Sequence, residues 1–167
     1  MSETGTALEQ TVRIGAQPET VWRYWTDPVR MCAWWGTTAE LDPRPGGVCV
    51  VDLGGGAVMR GEYLELVPYE RIVFSFGWDP VEGGPDVPPG STRVEVTLAP
   101  DGDGTVLTFT TWFGEPDRAG AANAGAGYHV CLGHLVELLD TGTVAEPLVS
   151  TPVAPLEERY RELTAAD

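Results

Sequence analysis

The residues equipped for chemistry are few and scattered. Three cysteines (Cys32, Cys49, Cys131) and two histidines (His129, His134) carry the chain's nucleophilic and metal-binding capacity. The cysteines are odd in number, widely spaced and without a C-x-x-C pair, so neither a disulfide framework nor a zinc knuckle is expected. They read as buried or free thiols in a reducing compartment. The histidines fall five residues apart in a stretch of helical pattern, which turns them about 140° from each other around the axis. A two-histidine metal site on one face is therefore not expected, nor is any other cofactor. Cys131 offers a thiol, but no histidine partner follows from spacing, and an inert buried thiol is the better reading. Arg60 and Glu62 share one face of a strand-like run whose parity the pattern leaves open. Facing inward they would be a charged pair able to orient a polar ligand group or perturb a pKa; facing outward they are surface charges. The chain has no G-x-G-x-x-G, Walker loop, G-x-S-x-G or H-E-x-x-H, and its D-G-D-G lacks the later ligands of a calcium loop. No residue is assigned a catalytic role.

Aromatic residues are concentrated instead. The stretch TDPVRMCAWWGTT (26–38) holds Met31, Cys32, Trp34 and Trp35, with Trp22 and Trp25 just before it, so four of the six tryptophans lie between positions 22 and 35. Each buries a large apolar area and offers a flat face, so the group either fills a core or lines a pocket.

Composition bounds the partners. A chain of 167 residues is one domain's worth and large enough for a real core. Its formal charge of −15, from 25 acidic and 10 basic residues, opposes binding to nucleic acid or an anionic membrane surface. MSETGTALEQ has neither a basic start nor an apolar run, so no signal peptide is expected and a cytoplasmic location is. Residues 119–136 carry no formal charge over a bilayer's length, but their Gly, Asn and His content makes a poor membrane helix.

The elements that must position these residues follow from periodicity and turn chemistry. A strand is expected in TVRIGA (11–16), then a helix from Pro18 to Trp25 and a second from Pro28, stopped by Gly36. Strand-like runs follow in TAEL, GVCVVDL, VMRGEYLELV and RIVFSFGW, each closed by Pro, Gly or Asp-Pro. After a long Pro/Gly loop (79–91) come TRVEVTLA and TVLTFTTWF, joined across PDGDG as a hairpin. In the first of these Val94, Val96 and Leu98 share one face, so one side of the sheet is covered. The cover is a helical segment from about Asp117 to Asp140, with Ala124, Tyr128, Cys131, Leu135, Leu138 and Leu139 on one stripe. Gly120, Gly125, Gly127 and Gly133 within it each cost up to about 1 kcal/mol relative to alanine. They imply close approach to the sheet, room for a ligand beside the helix, or a loop over the first part.

In VWRYWTDPVRMCAWWG, RPGG, GEYLELVPYERIVFSFGWD, GSTRVEVTLAPDGDGTVLTFTTWF and GYHVCLGHLVELL, the chain resembles the SRPBCC superfamily over roughly residues 8–140. The branch it is most similar to is the C-terminal domain of the heat-shock-protein-90 ATPase activator. The resemblance implies an α+β helix-grip fold: a curved antiparallel sheet of about six or seven strands around a long C-terminal helix, with two short helices closing a cavity for apolar molecules. It marks a ligand-binding domain (1–140) and leaves an extension (141–167), where the spacing of Leu156, Tyr160 and Leu163 in LEERYREL predicts a short amphipathic helix. The residues expected at the cavity are Met31, Trp34, Trp35, Arg60, Phe76, Trp78, Trp112, Tyr128 and Cys131. Two departures stand out. Tyr128 occupies a position where relatives often carry Trp, which adds a polar handle, and TTWF stands where many have histidine.

Three functions remain. The first is binding of a small apolar or aromatic ligand, a lipid, polyketide or similar metabolite. A cofactor-free cyclase or hydratase is second and would need Arg60, Glu62, Tyr128 or His129 facing inward. A co-chaperone-like role is third. A homodimer is left open.

Overall fold

The computed structural model describes residues 7–80, 82, 87–112 and 118–142, with side chains of the last helix from Tyr128 onward. The tail beyond 142, with its expected amphipathic helix, and the side chain of Ala124 lie outside the described residues.

The elements run β1 (Ala7–Ile14), α1 (Pro18–Thr26), α2 (Pro28–Met31), β2 (Thr38–Leu41), β3 (Val48–Asp52), β4 (Val58–Val67), β5 (Arg71–Phe76), β6 (Thr92–Asp101), β7 (Gly104–Trp112) and α3 (Arg118–Thr141). All seven strands form one curved antiparallel sheet in the order β1-β7-β6-β5-β4-β3-β2, and with α3 they make the expected helix-grip fold. Strand neighbours follow chain order except that β1 closes onto β7. Hairpins therefore build most of the sheet and a single long-range pairing completes it.

Register sets which side chains meet. One inward row runs Leu8, Thr111, Val94, Phe74, Tyr63 across five strands, and the next runs Gln10, Phe109, Val96, Ile72, Leu66. A β-bulge between Tyr63 and Glu65 shifts the parity of β4, which brings both Tyr63 and Leu66 onto the core side. The opposite face carries an ion-pair ladder in which Arg71 joins Glu65 and Glu95, and it is wet, as alternation in an antiparallel sheet requires.

The two short helices differ from expectation in one respect. Proline opens both, and the Asp27 carboxylate caps α2 by accepting from the amides of Val29 (2.9 Å) and Arg30 (3.2 Å). But α2 ends at Met31 instead of continuing to Gly36. Trp34 and Trp35 are each 3 % exposed, and neighbours on a regular helix point about 100° apart. Two irregular turns, ended by Gly36 at φ 91°, let both rings face inward.

Helix α3 is continuous through Gly120, Gly125, Gly127 and Gly133, so no part of it is a loop. Gly133 is exposed, and a Cβ there would meet nothing within 4 Å, so close packing does not explain that glycine. At its far end the Asp140 carboxylate accepts from the Gly15 amide (2.7 Å), and Gly142 stops the helix at φ 84°.

Candidate functional site

Among the described residues the core between sheet and α3 holds eight buried aromatic side chains beside its aliphatic ones. Trp25, from α1, packs against Trp34 (4.8 Å between centroids), Trp35 (6.2 Å), Phe109 (6.0 Å) and Phe74 (6.4 Å). Tyr128, from α3, closes on the same group from the other side, at 4.4 Å from Phe109, 5.7 Å from Phe76 and 6.1 Å from Trp35. Most of these pairs are edge-on or tilted, the arrangement that ring quadrupoles favour. Met31 and Cys131 are buried in the same cluster, and Trp78 packs against it partly exposed, edge-on to Phe76 at 5.9 Å.

Seven of the nine residues expected at the cavity therefore meet here: Met31, Trp34, Trp35, Phe76, Trp78, Tyr128 and Cys131. Two do not. Arg60 alternates with the buried Met59 and so points to the outer face, where its guanidinium donates to both oxygens of Asp79 (2.8 and 2.9 Å). Glu62 shares that outward parity and is exposed, which resolves the pair as surface charge. Trp112 likewise falls on the outer face, one residue past the inward Thr111, with the Arg93 guanidinium 4.5 Å from its ring centroid. Its expected place in the site is corrected for that reason. His129 is exposed, whereas His134 is buried.

Polar atoms inside the core fall into two groups. Some are satisfied locally: the Tyr63 hydroxyl donates to the Trp25 carbonyl oxygen (2.9 Å), the Trp34 indole N–H to the Tyr24 carbonyl (3.0 Å), Thr92 to Phe76 (2.9 Å) and Thr105 to Ala16 (2.7 Å). Three buried atoms have no hydrogen-bond partner among the described residues: Trp25 Nε1, Thr111 Oγ1 and the Tyr128 hydroxyl. Burial pushes the Cys49 and Cys131 thiols up to about 12, and in Cys49 the adjacent Tyr63 hydroxyl offsets this only in part. Burial likewise raises the Tyr63 and Tyr128 phenols, reinforced in Tyr128 by Cys131 and Cys49. At neutral pH all four groups are uncharged. The unpartnered indole N–H and hydroxyls are hydrogen-bond donors set among apolar rings, and none of these four groups is poised as a general acid or base near neutrality.

Trp25, Phe109, Thr111, Cys49 and Tyr63 were not among the residues expected at the cavity. The available signal was period two: in TVLTFTTWF, inward Leu107 and Phe109 imply inward Thr111 and outward Trp112.

Residues 15–140 match the family described as activator of Hsp90 ATPase homolog 1-like protein. The chain belongs to that family. An AHSA1-like protein from Rhizobium etli is 34 % identical, with 82 % of this chain and 83 % of that one covered and a TM-score of 0.64. DynU16, described as a protein in the dynemicin biosynthetic locus, is 27 % identical with a TM-score of 0.70, over 83 % of this chain and 48 % of that one. This chain thus spans about half the length of DynU16. The Aha1 protein of Colwellia psychrerythraea, a dimer in solution, shares the fold alone, at 18 % identity and a TM-score of 0.70 over 82 % of this chain and 98 % of that one. No curated protein matches. Among the described residues no helix is long and apolar enough to cross a membrane, and the uncharged 119–136 stretch lies within α3.

Proposed function

We propose that the chain binds a small apolar or aromatic molecule between the inner face of the sheet and α3, against Met31, Trp34, Trp35, Phe76, Trp78, Tyr128 and Cys131. The observation that carries this reading is Tyr128: it is 7 % exposed, touches the rings of Trp35, Phe76 and Phe109, and buries a hydroxyl unpartnered among the described residues. An unpaired buried hydroxyl costs about 1–3 kcal/mol. A structure that retains one in its most aromatic region is suited to something that supplies the partner. The setting of DynU16 in a biosynthetic locus accords with a small-molecule ligand.

Native mass spectrometry of the purified full chain, followed by thermal-shift screening against lipids, polyketides and aromatic metabolites, tests the reading. It predicts a co-purified or stabilising molecule whose effect is lost in Trp35→Ala and kept in Trp112→Ala, since Trp112 lies on the outer face. A clean mass and no shift across the panel count against it. The family's description favours a second reading, activation of a chaperone ATPase. A pull-down with the chaperone, positive in the absence of any small-molecule shift, would place that reading first.

A further inference from the structure

The structure assigns a chemical class to the molecule held in this core: we infer that it is neutral and carries a hydrogen-bond-accepting oxygen, a ketone or quinone carbonyl above all, received by the Tyr128 hydroxyl and the Trp25 indole N–H with the Thr111 hydroxyl beside them. This inference rests on the binding reading above and narrows it.

The side chains that bear the three unpartnered atoms share neighbours in the core. Trp25 and Tyr128 both pack on Phe109, at 6.0 and 4.4 Å, and both also touch Trp35. Thr111 is two residues from Phe109 on the same inward face, a step of about 7 Å. It pairs with Leu8 on one side and Val94 on the other, so its neighbours across the sheet offer no side-chain acceptor. Trp25 is 2 % exposed, Thr111 0 % and Tyr128 7 %, so solvent does not serve them. Buried polar side chains are as a rule paired, and elsewhere in this core Tyr63, Trp34, Thr92 and Thr105 obey that rule.

Chemistry then selects the partner. An indole N–H donates only, and each hydroxyl donates one hydrogen, so the complement common to all three is an acceptor. Charge selects further. The chain has no lysine, and no arginine, aspartate or glutamate among the described side chains is buried. A carboxylate or an ammonium here would have no counter-charge of that kind, and burying an unpaired charge is far costlier than burying a carbonyl. The buried His134 lies six residues beyond Tyr128, about 120° around α3 and away from its face. A neutral oxygen on an apolar frame meets every condition.

Three probes of one shape test this on the full chain: fluorene, which has no acceptor, 9-fluorenone, which adds one carbonyl, and fluorene-9-carboxylate, which adds a charge. Binding is followed by quenching of tryptophan fluorescence in the wild type and in Tyr128→Phe. The expected result is fluorenone binding about tenfold more tightly than fluorene, the worth of one or two good hydrogen bonds, with the carboxylate weakest. In Tyr128→Phe the preference should shrink to about threefold or less, with a cooperative unfolding transition retained to show the aromatic core intact; a preference still about tenfold in that variant overturns the inference. Equal affinity for fluorene and fluorenone in the wild type overturns the inference and leaves the binding reading standing. Tightest binding of the carboxylate overturns it as well. Binding of none of the three removes the binding reading and this inference together.

Discussion

Replacing Tyr128 by phenylalanine should make the ligand-free protein more stable. The substitution keeps the ring that packs 4.4 Å from Phe109 and deletes only the hydroxyl. That hydroxyl is buried without a partner among the described residues, so its removal relieves about 1–3 kcal/mol of desolvation penalty. In a protein of this size each kcal/mol moves Tm by about 2–4 °C, so a rise of about 2–12 °C is expected. The internal contrast is Tyr63→Phe. Its hydroxyl donates to the Trp25 carbonyl at 2.9 Å, so the same deletion there should lower stability by about 1 kcal/mol. Calorimetry and equilibrium urea unfolding, on protein shown by native mass to be ligand-free, measure both variants side by side. Opposite signs support the distinction between satisfied and unsatisfied phenols. A Tyr128→Phe variant destabilised like Tyr63→Phe would mean that the Tyr128 hydroxyl is paired in the native protein, and the reasoning built on it would fail.

Gly133→Ala should stabilise the protein by up to about 1 kcal/mol, because the position is helical, exposed and has open space for a Cβ; a loss of stability in thermal unfolding would show that the helix needs glycine there. Thiol titration under native conditions should find one fast group, Cys32, with Cys49 and Cys131 reacting only on unfolding, since burial holds those two thiols near 12; three fast thiols would contradict their burial. Asp27 and Asp79 are held below the ordinary carboxylate range, Asp27 first by the Arg30 amide and Asp79 first by the Arg60 guanidinium. Depressed folded-state values mean that these groups support the fold above about pH 4 and that the support is lost as pH falls through their folded pKa. Asp27→Asn and Asp79→Asn should therefore flatten the acid limb of Tm against pH, and an unaltered limb would exclude both as contributors.

Much of the fold was legible because local chemistry and long-range structure agree. Strands β2 and β4 fall on the expected runs TAEL and VMRGEYLELV, and prolines 18 and 28 open the two short helices. Gly142 ends α3 as its position suggested. The buried aromatic cluster was legible in type and its members less so. Period two separates inside from outside only when one anchor is known, and the resemblance that named Trp112 carried no strand parity to separate it from the inward Thr111. The parity of Arg60 depends on which strand face carries Met59 and Tyr63, and the bulge at Tyr63/Glu65 blurs that pattern within β4. The break after Met31 was hidden because it arises from tertiary demand, the burial of two adjacent tryptophans, and not from any helix-stopping residue before Gly36. Unsatisfied polar atoms leave no mark in a sequence at all. Whether the Tyr128 hydroxyl has a partner depends on what the sheet and the helices bring beside it.

The most direct measurement of the binding claim is a proton–nitrogen correlation spectrum of the indole N–H groups, recorded on the full chain as 9-fluorenone is titrated in. Six tryptophans give six readable probes. Trp25 carries an N–H unpartnered among the described residues, Trp34 one bonded to Tyr24, and Trp112 sits on the outer face against Arg93. Saturable shifts at Trp25 and Trp35, with Trp112 unmoved, are the predicted result. A titration that moves Trp112 alone, or no indole at all, would contradict binding between the sheet and α3.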